Sequence, residues 1–129
     1  MTEYRFKAPS LFDPTATALE NRTEYHDAPA AGEQLARLKP CAQWLVSQMT
    51  ARGVRTKGPD TDEGGWMISV PANGGFALII LGIVANENQP FEVLVTRIGS
   101  AEREVAQANG ALKAILENSP AVSDLIIQD

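Results

Sequence analysis

The densest run of residues in this chain that could do chemistry is Asp60-Thr61-Asp62-Glu63-Gly64-Gly65-Trp66. Three acids before a glycine pair suggest a calcium loop. With Asp60 and Asp62 at loop positions 1 and 3, Gly65 falls at position 6. Position 5 is then Gly64, and the position reserved for a bidentate glutamate is Pro71. The ligands that matter are missing, so no metal is expected. Pro59, Asp60 and the glycine pair are turn chemistry, and acids ahead of a strand end discourage edge pairing. The stretch is therefore expected to be a turn feeding a strand. Asp60, Asp62 and Glu63 remain candidate contacts for a basic partner.

His26 and Cys41 are the only histidine and cysteine. A lone histidine excludes a histidine-based metal site. Cys41 follows Pro40 in an apolar helical stretch, where a small buried thiol is the ordinary finding, not a nucleophile. No nucleophile elbow, phosphate loop or dinucleotide fingerprint occurs. The glycine pairs at 64–65 and 74–75 sit at strand ends and do not open helices. A carboxylate pair such as Glu92 with Asp62 can be drawn, but among 16 acids such a pairing singles out nothing. No catalytic residue, metal or cofactor is expected. For binding, Trp66, Phe76 and Phe91 would line a pocket between the N-terminal segment and a sheet, with polar help from His26 or Asp62.

Around these residues the chain is ordinary in size and balance. Its 129 residues, 44% hydrophobic and 21% charged, suit one domain with its own core. That domain would span 1–129, with residues 1–30 an irregular segment packing on the sheet. A net charge of −5 argues against nucleic acid, whose phosphates demand a basic surface. The charge is uneven. Residues 31–57 carry five basic residues against Glu33 alone, whereas residues 58–129 carry three against ten acids. The N-terminus lacks an apolar signal core. The longest apolar run, Phe76 to Ala85, is far short of the ~20 residues that span a bilayer. A soluble, cytoplasmic protein with neither membrane nor nucleic-acid partner is the expectation.

Tyr4 to Ala8 alternates in the manner of a short strand. Residues 31–52 are helical by period, with Leu35, Leu38, Ala42, Leu45 and Met49 on one stripe. Pro40 interrupts the stripe, giving a kinked helix or a turn followed by a second helix. Gly53 is the expected stop. Val54-Arg55-Thr56 reads as an edge strand. Trp66 to Pro71, Phe76 to Ala85 and Phe91 to Ile98 form an antiparallel meander, its first turn signalled by Asn73-Gly74-Gly75. Ser100 is the expected N-cap of a closing helix, and Asp124 to Gln128 a final strand. The order is β-α-β-β-β-β-α-β: an α+β protein, mainly antiparallel sheet, with two helices packed on one face.

One strand breaks the usual rule for a half-wet sheet. From Phe76 to Ala85 both faces are apolar, where alternation is expected. Ala77, Ile79, Leu81 and Ile83 point one way; Phe76, Leu78, Ile80 and Val84 point the other. Met67, Leu94 and Ile98 join the face away from the helices. That face is expected to be covered, by the N-terminal segment or by a second copy of the chain.

The chain also resembles a group of small bacterial α+β proteins of unknown function over residues 35–128. The likeness is carried by Ala51-Arg52-Gly53-Val54, by Gly58-Pro59 with its acidic cluster and Gly65-Trp66, and by Asn118-Ser119-Pro120-Ala121-Val122-Ser123-Asp124-Leu125. The resemblance implies an α+β fold in a bacterial, cytoplasmic setting and transfers no functional residue. Together these readings point to a non-enzymatic module that binds a protein partner or self-associates as a homodimer. The alternatives are a small-molecule binder or small enzyme using the aromatic pocket, and an immunity- or chaperone-like protein neutralising a basic partner.

Overall fold

The structure is a computed structural model that describes residues 1–16, 29–62, 65–83 and 90–129, without the side chains of 29–34 and 62. Strand β1 (Thr2–Lys7) is followed by a 3-10 turn (Pro9–Leu11) and helix α1 (Pro29–Ala51). Strands β2 (Lys57–Asp62), β3 (Gly65–Pro71), β4 (Gly74–Ile83) and β5 (Phe91–Ser100) come next, then α2 (Glu102–Asn118) and β6 (Ser123–Gln128). One six-stranded antiparallel sheet has the order β2-β3-β4-β5-β1-β6. The class and element order are those expected from the sequence. The meander occupies one side, and the two terminal strands complete the other.

The helices lie on one face because the chain offers them one apolar stripe each. Leu35, Leu38, Ala42, Leu45 and Met49 of α1 are buried, as are Ala108, Leu112, Ile115 and Leu116 of α2. They meet Ile68 and Val70 of β3, Ala77, Ile79 and Leu81 of β4, and Val93 and Val95 of β5. Tyr4 and Phe6 bring β1 into the same core, with Phe6 edge-on to Phe91 at 5.7 Å. Tyr4 points under α2, where its hydroxyl donates to Asn109 Oδ1 at 2.6 Å.

Helix α1 runs through Pro40 as one element, which settles the two alternatives left by the sequence. Pro40 has no N–H for the Ala36 carbonyl. One residue earlier, the Leu35 carbonyl accepts the indole N–H of Trp66 at 2.8 Å. At its other end the helix closes on Gly53, with φ +80°. The Gly53 N–H donates to the Thr50 carbonyl and the Val54 N–H to the Met49 carbonyl, both at 3.0 Å. This is the paired closure of a Schellman motif.

That closure corrects the expected strand at Val54-Arg55-Thr56. The Val54 N–H is committed to α1 and its side chain is 5% exposed in the core, so pairing cannot begin there. The edge strand comes later. Lys57 pairs with Ser69, Asp60 with Met67, Thr61 with Trp66 and Asp62 with Gly65. The stretch expected to be a turn is thus mostly strand. Its register shifts between Lys57 and Asp60, where Pro59 has no N–H to donate, a substitution that only an edge or bulge accepts. The Gly58–Pro59 peptide is cis.

The expected N-cap at Ser100 is likewise displaced. Ser100 pairs with Gly74 at the end of β5, and Ala101 precedes α2 without a side-chain cap. Glu102 and Glu104 occupy the first turn, where the helix dipole favours acids. Glu102 also accepts from Arg97.

After β1 the chain crosses on the helix side of the sheet. Ala8 is fully buried and Leu11 packs against the core. The Phe12 ring lies 5.9 Å from that of Phe91, and the Asp13 N–H donates to the Arg37 carbonyl at 3.0 Å. Residues 1–16 therefore extend the sheet and flank α1; they do not lie over the second face. Leu19, Tyr25 and His26 fall outside the described residues.

Candidate functional site: the open face of the sheet

The register assembles a surface that no single strand shows. On the face away from the helices, one row runs Lys57, Ser69, Leu78, Thr96. The next runs Asp60, Met67, Ile80, Leu94, Glu3, Gln128. Beyond it come Gly82, Glu92, Arg5 and Ile126, and at the opposite end Pro71, Phe76 and Ile98. The centre of the face, across β3, β4 and β5, is an apolar band of Met67, Phe76, Leu78, Ile80, Leu94 and Ile98. Most of its members are half-buried, while Ile98 is 45% exposed and Ile126, apart from the band, 54%.

Two charged groups border the band. On the β2 side, Lys57 and Asp60 help to line a groove of about 270 Å³ with Met67, Ser69, Phe76, Leu78 and Ile98. On the β1 side, Arg5 Nε donates to Glu3 Oε1 at 2.6 Å, and Arg5 Nη2 lies 3.4 Å from Glu92 Oε2. The hydrogen bond from Arg5 holds the Glu3 carboxyl below the usual carboxylate range. Partial burial, then the neighbouring Glu3, moves Glu92 upward. The guanidinium thus donates to one carboxylate and pairs in charge with the second at that border.

The residues expected to bind separate. Trp66 is 5% exposed and Phe91 fully buried, both on the helix side, whereas Phe76 stands on the open face. The three aromatics do not line one pocket, because strand alternation sends them to opposite sides of the sheet. Asp60 borders the groove. Asp62 ends β2, but its side chain, like the whole of Glu63 and His26, lies outside the described residues. Cys41 is fully buried, and burial pushes its thiol up to about 12, the environment of an inert thiol. Among the described residues no group of three or more His, Cys, Asp or Glu could hold a metal ion. No described helix is long and apolar enough to cross a membrane.

Lys57, Glu3 and Arg5 are charged members of the site that sequence reasoning did not find. Their place on this face depends on how β2 and β1 pair. By contrast, Met67, Leu94 and Ile98 were placed there by alternation alone.

Comparisons of the chain with protein-family models, with curated proteins and with solved structures return no match.

Proposed function

We propose that this protein is a non-enzymatic interaction module that binds a protein partner through the open face of its sheet. One observation carries the reading: the apolar band on β3, β4 and β5 opposite the helices. An antiparallel sheet with one wet face normally carries polar residues on it. Full burial of a large apolar side chain is worth about 1.5–3 kcal/mol, and a half-buried band keeps a good part of that for a partner. Contiguous apolar patches of this kind mark contact surfaces. Affinity capture with the wild-type chain and the Ile80→Lys variant in parallel tests the reading. A partner retained by the wild type and lost by Ile80→Lys supports it. A partner held equally by both assigns binding to another surface.

The groove beside Lys57 and Asp60 favours a second reading, a small apolar ligand with a polar end. A ligand that binds only the folded state raises its stability. A thermal-shift screen in which one chemical class stabilises the wild type, and Leu78→Lys abolishes the effect, would select this reading over the first.

A further inference from the structure

We infer that the partner of the open face is a second copy of this chain, packed face to face about a two-fold axis that runs across the strands. The inference rests on the reading of that face as a docking surface. An isologous interface must be complementary to itself under its own rotation, and the rows of this face meet that condition in one orientation.

Place the axis between the two sheets, midway between the Leu78 row and the Ile80 row. Each strand then lies over its own copy, and the two rows exchange. Leu78 packs on Ile80 of the second copy. At the β2 border, Lys57 faces Asp60 and Asp60 faces Lys57, so opposite charges meet twice. The outer rows exchange as well. Phe76, the bulkiest side chain that β4 presents on this face, comes over Gly82, which has no side chain. Ile98 comes over Glu92, whose carboxylate stays beside Arg5 of its own chain. An axis along the strands does worse: it leaves each row over itself, stacking Asp60 on Glu3 and Phe76 on Phe76.

The dimensions suit the arrangement. Packed sheets lie about 10 Å apart with strand directions within about 30°. At β2, about 10 Å from β4, that crossing shifts facing residues by about 5 Å, within reach of a lysine side chain. Six strands about 4.8 Å apart, each of about seven residues at about 3.3 Å, give a face of roughly 650 Å². A standard interface buries about 800 Å² per partner, so the face is the right order of size for a stable pair.

Light scattering on the full chain over a concentration series tests this, with circular dichroism confirming that each variant is folded. The expected mass is twice that of one chain. Ile80→Lys, and independently Leu94→Lys, should restore the single-chain mass. Lys57→Asp, which turns both attractive pairs repulsive, should raise the dissociation constant about tenfold. Adding Asp60→Lys should restore it to within about threefold, since the swapped charges again oppose one another. A dimer indifferent to Ile80→Lys and Leu94→Lys forms elsewhere and overturns the inference. A dimer that those variants break but Lys57→Asp leaves unchanged overturns the proposed axis. A single-chain mass throughout, with an apolar dye bound by the wild type and lost in Ile80→Lys, overturns self-pairing while leaving the face as a docking surface. A single-chain mass with no dye bound removes both readings.

Discussion

The indole N–H of Trp66 donates to the Leu35 carbonyl across the interface between β3 and α1, at 2.8 Å. The bond reaches α1 beside the point where Pro40 leaves the Ala36 carbonyl without its helical donor. A tryptophan on an alternating strand thus fastens the sheet to the part of the helix least able to hold itself. Trp66→Phe keeps an aromatic ring but loses the donor and part of the volume. The expected cost is about 1–3 kcal/mol, from one buried hydrogen bond and a small cavity. Urea unfolding followed by circular dichroism measures it. A midpoint equal to that of the wild type would remove the fastening role.

Two glycines should respond with opposite signs to the same change. Gly53 sits at φ +80° in the closure of α1, where an L side chain is strained whatever the space around it. Gly53→Ala is expected to destabilise by about 1–2 kcal/mol. Gly110 lies in the interior of α2, is exposed, and a Cβ built on it meets nothing within 4 Å. Gly110→Ala is expected to stabilise by about 0.5–1 kcal/mol. Matched thermal melts of the two variants should bracket the wild type. If both shift the same way, backbone conformation is not what separates them.

Much of this arrangement was legible in the sequence, and the remainder depended on pairing between distant segments. The period of α1 and the alternation of β3 to β5 placed their share of the core correctly. Alternation even separated Met67, Leu94 and Ile98 from the helix side. The same alternation puts Trp66 opposite Met67 and Phe91 opposite Leu94; grouping the aromatics as one pocket overlooked it. The start of β2 was hidden because the Val54 N–H is taken by Met49, a bond that exists only once the helix closes. Ser100 looked like a cap because nothing in its neighbourhood shows that β4 holds it. The insertion of β1 between β5 and β6, which brings Glu3 and Arg5 beside Glu92, joins the two ends of the chain and leaves no local trace.

Stability should fall as the solution is made basic, through two buried acids on the helix side. Burial pushes the Tyr4 hydroxyl from 10.0 up to about 12, and the Cys41 thiol from 9.0 to about 12. In each case the unfolded chain loses its proton first. The stabilisation is therefore complete below the unfolded value and is lost as pH rises towards the folded one. A single such proton gives a slope of up to about 1.4 kcal/mol per pH unit. Between pH 9 and 10 the loss belongs to Cys41, and above pH 10 Tyr4 joins it. Cys41→Ala should flatten the first segment and leave the second. Denaturant midpoints taken every half unit from pH 8 to 11 read this directly, and a wild-type profile flat over that range would contradict it.

Ile79 and Ile80 are chemically identical neighbours whose surroundings differ completely. Ile79 is fully buried between the sheet and the helices, with Ile68 and Val95 as its cross-strand partners. Ile80 stands on the open face between Met67 and Leu94. A lysine at position 79 would bury an ammonium with no carboxylate among those partners, a change expected to cost at least 4 kcal/mol, roughly enough to unfold a domain of this size. At position 80 the longer side chain can lie along the band and carry its charge into water, so Ile80→Lys should stay within about 1 kcal/mol of the wild type in dilute solution. The two variants also divide the protein's attraction for an apolar dye. Ile80→Lys should reduce dye fluorescence in the folded state, whereas Ile79→Lys should raise it by exposing the core. Equal destabilisation by the two lysines would mean that β4 is enclosed on both sides within a single chain, and the docking surface would disappear with that result.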